Sequence, residues 1–215
     1  MVIIRMHLLA LLVVPFLVLT GLPARAALSG ADHADIARAE TYLNAVTTLK
    51  ARFIQVAPDG SNVEGTVYLS RPGRMRLEYD PPSPILIIAN HSWLIYHDKQ
   101  LLQTSYVGID STPAGVLVKP QVQLDADGLA VTRVAHQPGM LDITVINKND
   151  PAQGRITLIF TEAPFQLRQW QVVDGQGQLT TVSLFDAHAA VTLDDGLFEF
   201  HDPRNFGPPD FNNLR

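Results

Sequence analysis

Between Asp32 and Leu49 the apolar residues Ile36, Ala39, Leu43, Val46 and Leu49 recur at steps of three and four, the spacing that builds one face of an α-helix. Asp32 stands where a carboxylate caps exposed amides, and Asp35 lies in the first turn, where it favours the helix dipole. From Lys50 onward the period falls to two. Short runs rich in Val, Ile, Thr, Phe and Tyr alternate with turn-forming clusters about every ten residues, the pattern of successive strands. Expected strands are Ala51–Val56, Val63–Arg71, Met75–Tyr79, Ile85–Ala89, Trp93–His97, Leu101–Val107, Leu129–Ala135, Leu141–Asn147, Arg155–Phe160, Leu167–Val173 and Leu179–Phe185. Asp59-Gly60, Asn90-His91, Pro138-Gly139 and similar clusters make the connections short, which favours antiparallel neighbours.

One interruption lies between Gly108 and Asp127, where Thr112 as cap and Pro113 as first helical residue start a short helix through Val118. A helix that short, carrying Gly115, must lie against something to persist. About eleven strands in one meander cannot remain flat, because large twisted sheets curl or split. The expected fold is therefore mainly β with a helical lid: an incomplete, strongly curved antiparallel barrel whose two helical segments cover an apolar cavity.

The first 26 residues change this picture only at its start. Arg5 is followed by an apolar run from Leu8 to Leu19, then Gly21 and Pro23, then Ala24-Arg25-Ala26 with small side chains at the positions that a signal peptidase must accommodate. The run is short for a bilayer span, so cleavage after Ala26 and a periplasmic mature protein are expected. Losing Arg5 and Arg25 leaves 14 basic against 21 acidic side chains, a net charge of −7, which argues against nucleic acid as a partner. The chain has no cysteine, so stability must come from an ordinary core rather than from disulfides. One domain over 27–207 follows, with a flexible tail at 208–215.

Enzyme signatures are missing. No paired histidines flank a glutamate at helical spacing, and no Gly-x-Ser-x-Gly, phosphate loop or dinucleotide fingerprint occurs. His91 with His97, and His188 with His201, lack a converging set of metal ligands, and no cofactor is implied. Ser183, Asp186 and His188 fall within one expected strand, where alternation separates the serine from the other two. One hairpin stands out, Arg71-Pro72-Gly73-Arg74-Met75-Arg76-Leu77-Glu78-Tyr79. Met75, Leu77 and Tyr79 would face one way, and Arg74, Arg76 and Glu78 the other. By pattern alone it is a hairpin of a half-buried sheet.

Several segments taken in order carry a family resemblance: Leu49-Lys50-Ala51-Arg52-Phe53-Ile54-Gln55, Glu64-Gly65-Thr66-Val67-Tyr68-Leu69, the Arg71–Arg76 hairpin, Trp93-Leu94-Ile95-Tyr96, Thr112-Pro113 and Leu197-Phe198-Glu199-Phe200. Together they resemble the LolA-like outer membrane lipoprotein carriers. The resemblance implies a monomeric, non-enzymatic carrier that takes acylated lipoproteins from an inner-membrane ABC transporter, shields their acyl chains, and passes them to an outer-membrane receptor. It also implies a role for Arg71 as the latch reaching from the barrel rim to backbone carbonyls of the lid. Met75 occupies the place of a large apolar residue, usually aromatic, near the cavity mouth. Leu77, Leu43, Val46, Val116 and Leu117 are further cavity or lid candidates from the helical faces and strand alternation. Arg74 and Arg76 make the hairpin more basic than the family pattern and are left open between anionic lipid, an acidic partner and solvent. Two other functions remain beside carriage: a lipid- or protein-sensing regulatory module of the same fold, and a carrier of other lipids or glycolipids.

Overall fold

The computed structural model describes residues 28–202. The expected signal segment and C-terminal tail lie outside the described residues. Helix α1 runs Gly30–Ala45 and is followed by strands Thr48–Val56 (β1), Asn62–Ser70 (β2), Arg74–Tyr79 (β3), Ile85–Asn90 (β4), Trp93–Asp98 (β5) and Gln103–Gly108 (β6). After a 3-10 turn at Ile109–Ser111 and a 3-10 helix at Pro113–Val118 come Leu129–Gln137 (β7), Met140–Asn147 (β8), Gly154–Glu162 (β9), Phe165–Asp174 (β10) and Leu179–Ala189 (β11). Every expected strand is present, with ends shifted by a few residues.

All eleven strands join one antiparallel sheet in the order β6-β5-β4-β3-β2-β1-β11-β10-β9-β8-β7. Strands consecutive in sequence are neighbours in space except β6 and β7, and β1 also pairs with β11, which places the first and last strands at the centre. The two edges, β6 and β7, do not pair, and the sheet is not closed into a barrel. A hairpin turn between them would zip them together. Instead the connecting segment 109–128 leaves the edge and packs on the concave face, where Val116, Leu117, Val118, Val122 and Leu124 are all buried. Asp125 accepts the Val131 amide at 3.0 Å and so occupies part of the β7 edge.

Three expectations at element ends are corrected. Ser29, not Asp32, caps α1: its side chain accepts from the Asp32 amide at 3.1 Å while the Asp32 carboxylate accepts from the Ser29 amide at 2.7 Å, a reciprocal capping box. Asp32 is thereby held below the usual carboxylate range by its bonds to Ser29, and Asp35 falls past the first turn to meet His136 at 3.0 Å. The helix also stops at Ala45, so Leu49 belongs to β1. Leu101 and Leu102 lie outside β6, because Asp98 accepts the Gln100 and Leu101 amides and folds them into an exposed turn.

The main core lies between the concave sheet face and the lid and includes Ile36, Ala39 and Leu43 of α1 together with Phe53 and Phe160 of the sheet. A second, smaller apolar cluster lies on the convex face: Leu86, Ile88 and Ile95 with Trp93, Tyr106 and Phe200. Among the described residues no helix is long and apolar enough to cross a membrane.

Across the sheet, Phe53, Gly65 and Tyr79 stand in one row. Phe53 meets Tyr79 edge to face at 5.1 Å, and its ring lies directly against Gly65. A Cβ at Gly65 would sit 2.3 Å from the Glu78 carbonyl oxygen and 2.6 Å from Phe53 Cζ. Gly65→Ala is expected to destabilise the fold by about 1–3 kcal/mol, read as a lower urea midpoint. An unchanged midpoint would mean that β3 and the ring move aside at no cost.

Candidate functional site

Helix C-termini leave backbone carbonyls without intrahelical donors and carry the negative end of the helix dipole. Two such ends meet here: the last turn of α1 and the end of the 3-10 helix Pro113–Val118. No basic residue lies in the last turn of either. Arg71 supplies the charge from outside, where β2 ends and the chain turns through Pro72-Gly73. Its Nε donates to the Leu117 carbonyl at 3.0 Å, and its Nη1 donates to the Leu43 carbonyl. The same turn adds a neutral tie, because the Gly73 amide donates to the Val118 carbonyl at 2.8 Å. Gly73 has φ +76°, and a Cβ there would come within 3.0 Å of His91, so glycine suits both the turn and the close approach.

Among the described residues Arg71 has no carboxylate partner, and its charge rests on carbonyl dipoles. Burial pushes its pKa down to about 10, with Tyr42 acting in the opposite sense, so the guanidinium is charged at neutral pH. Desolvation therefore works against the closed arrangement while two charge-assisted hydrogen bonds favour it.

Beneath Arg71 lies an apolar cavity of ≈ 30 Å³. Leu43 of α1, Val46 just after it and Leu117 of the lid segment face Met75, Trp170 and Leu184 of the sheet across it. That volume holds about one water molecule, whereas ligand pockets for small molecules run to several hundred Å³. The cavity is therefore nearly filled by its own lining side chains.

Of the residues singled out in the sequence, Arg71, Met75, Leu43, Val46 and Leu117 come together around this cavity. Leu77, two residues beyond Met75, is buried between Val67 and Ile87 and does not line it. Val116 points to the other side of the 3-10 helix and lines a larger pocket of ≈ 270 Å³, whose rim carries Asp110, Thr112, Lys119 and Asn147. Sequence reasoning missed Trp170 and Leu184, because facing them inwards requires the pairing register. It also missed Glu40 and Asn44, whose side chains bond the backbone of Val122 and Leu124. Polar residues on an otherwise solvated helix face give no signal of a distant backbone partner.

Arg74 and Arg76 point away from the cavity, as alternation required, but they do not face open solvent. Arg74 pairs with Asp195, bonds Ser70 Oγ at 2.8 Å and lies 5.2 Å from the Phe198 ring. Arg76 donates to the Leu197 carbonyl at 3.1 Å and pairs with Glu78 at 3.2 Å. The group that meets this basic hairpin is the chain's own turn at Asp195–Phe198. Among the described residues no cluster of three or more His, Asp or Glu side chains could hold a metal ion. Ser183 Oγ donates to Gln169, and His188 bonds Asp186.

The family described as outer membrane lipoprotein carrier protein LolA matches residues 44–201. A protein from Methylococcus capsulatus called outer-membrane lipoprotein carrier protein is 29% identical over 184 residues, covering 81% of this chain and 87% of the relative. One of the same name from Pseudomonas fluorescens is 27% identical over 209 residues, covering 93% and 97%. The crystal structure of a DUF1329 family protein from Desulfovibrio piger aligns with a TM-score of 0.50 at 10% identity, over 77% of this chain and 95% of that one, a likeness of fold alone.

Removing the guanidinium should loosen the lid without unfolding the sheet. Arg71→Ala is expected to increase binding of an apolar fluorescent dye and to shift Trp170 emission to the red. Dye binding and emission identical to those of the natural protein would show that the lid stays closed without this residue.

Proposed function

The chain belongs to the LolA family of outer membrane lipoprotein carriers, and from that premise we propose that it carries acylated lipoproteins through the periplasm with their acyl chains in the lidded cavity beneath Arg71. It takes them from an inner-membrane transporter and hands them to an outer-membrane acceptor. The role requires no bond to be made or broken, and the protein is a carrier rather than an enzyme. The reading of residues 1–26 as an export signal supports the compartment.

The observation that carries this reading is a charged latch over an apolar cavity too small for its ligand. Each methylene moved out of water is worth about 0.8 kcal/mol, so cargo with three acyl chains faces a barrier to free diffusion on the order of tens of kcal/mol. Two charge-assisted hydrogen bonds contribute about 3–6 kcal/mol together. Burying roughly four to eight methylenes outweighs them. Cargo can therefore open the latch, and the latch in turn lowers the net affinity so that cargo can leave. Met75 on the sheet side offers an unbranched thioether that adapts to chains in different positions.

The test compares the natural protein with Arg71→Leu on inner-membrane vesicles bearing the lipoprotein-releasing transporter. The natural protein is expected to release lipoprotein into solution, and the variant to load cargo but pass less of it on, because it lacks the tie that favours the empty closed state. Absence of release with the natural protein, together with stoichiometric recovery of a regulatory partner, would replace carriage with a sensory role.

A further inference from the structure

Between Val118 and β7 the chain has no regular structure through residue 124, yet the side chains of Val122 and Leu124 are only 1% and 0% exposed. Their backbone amides share that burial and have no ladder or helix to join, so they need donors and acceptors from elsewhere. Both find them on α1. The Asn44 side chain forms a closed pair with Val122, its Nδ2 donating to the carbonyl at 3.0 Å and its Oδ1 accepting from the amide at 2.8 Å. Glu40 Oε1 accepts from the Leu124 amide at 2.6 Å. Glu40 and Asn44 are four residues apart and share one helix face, so α1 serves as the template for an extended stretch of this segment.

From this we infer that Glu40 and Asn44 are positioning residues that join α1 and the segment 113–124 into one lid body, which separates from the β2–β3 rim as a unit. The inference rests on the reading of the cavity as one that opens. Arg71 bonds a carbonyl on each piece, Leu43 on α1 and Leu117 on the 3-10 helix. With the pieces joined, both bonds break in one event and the whole mouth is exposed at once. Separate flaps would open one wall at a time, leaving either Leu43 and Val46 or Leu117 across the entrance to a multi-chain cargo.

Amide hydrogen exchange tests this without any lipoprotein. In the natural protein the Val122 and Leu124 amides are expected to exchange with the same opening equilibrium as those in the last turn of α1. Arg71→Leu should lower protection of both groups by the same factor. Asn44→Leu keeps the size, removes both bonds to the Val122 backbone and adds no charge at the helix end. It should separate the two groups, lowering protection of Val122 and Leu124 roughly tenfold while the last turn of α1 keeps its own value. Unchanged protection of the central-strand amides confirms that each variant is folded. Independent exchange of the two groups in the natural protein, or acceleration of only one by Arg71→Leu, overturns the inference. Vesicle release by a protein with independent exchange leaves carriage standing and removes the single lid; coupled exchange without release does the reverse.

Discussion

An antiparallel sheet whose two end strands never meet leaves its apolar concave face uncovered, and every other feature of this molecule answers that constraint. The segment between β6 and β7 is twenty residues long rather than a tight turn, so it can fold back onto the concave face instead of closing the barrel. Alone it is too short and irregular to hold its place. It becomes stable by packing buried side chains against the sheet and by bonding α1, which itself buries one face in the same core. The cover is thus built from two pieces distant in sequence, and its fit to the sheet depends on a tie at the rim.

That tie is chemically unusual in one respect: a partly buried guanidinium is held by carbonyls rather than by a carboxylate. A carboxylate in that position would add a second charge that must be desolvated together with the guanidinium. Carbonyls at helix ends are weaker partners, and they are readily solvated when released. Two such charge-assisted bonds are together worth a margin comparable with the burial of a few methylenes.

Strand β3 is gripped on both faces. Its inner side chains, Met75, Leu77 and Tyr79, belong to the core and cavity wall, while Arg74 and Arg76 on the outer side hold the turn at Asp195–Phe198. The convex apolar cluster of Leu86, Ile88 and Ile95, which would otherwise be an exposed patch, has Phe200 packed against it. The hairpin that carries Arg71 is therefore braced from behind by the C-terminal part of the domain.

By itself the sequence determined the number and order of strands, the presence of a helix before them and a short one among them, and the alternation in β3 that separates Met75 from Arg74 and Arg76. These follow from local periodicity and turn chemistry, which act over a few residues. The cap at Ser29 was also local, but Asp32 masked it because both members of a capping box are good caps. The bonds of Arg71 to the Leu43 and Leu117 carbonyls were legible only through likeness to a family, since nothing in a lone arginine after a strand identifies two carbonyls 28 and 46 residues away. Tertiary structure alone decided that β6 and β7 stay apart, that Val116 and Leu117 face different cavities, that Glu40 and Asn44 bond a distant backbone, and that Arg74 and Arg76 meet the chain's own C-terminal turn. Each of those depends on register and on partners far along the chain, and a one-residue slip in a strand would invert every such choice.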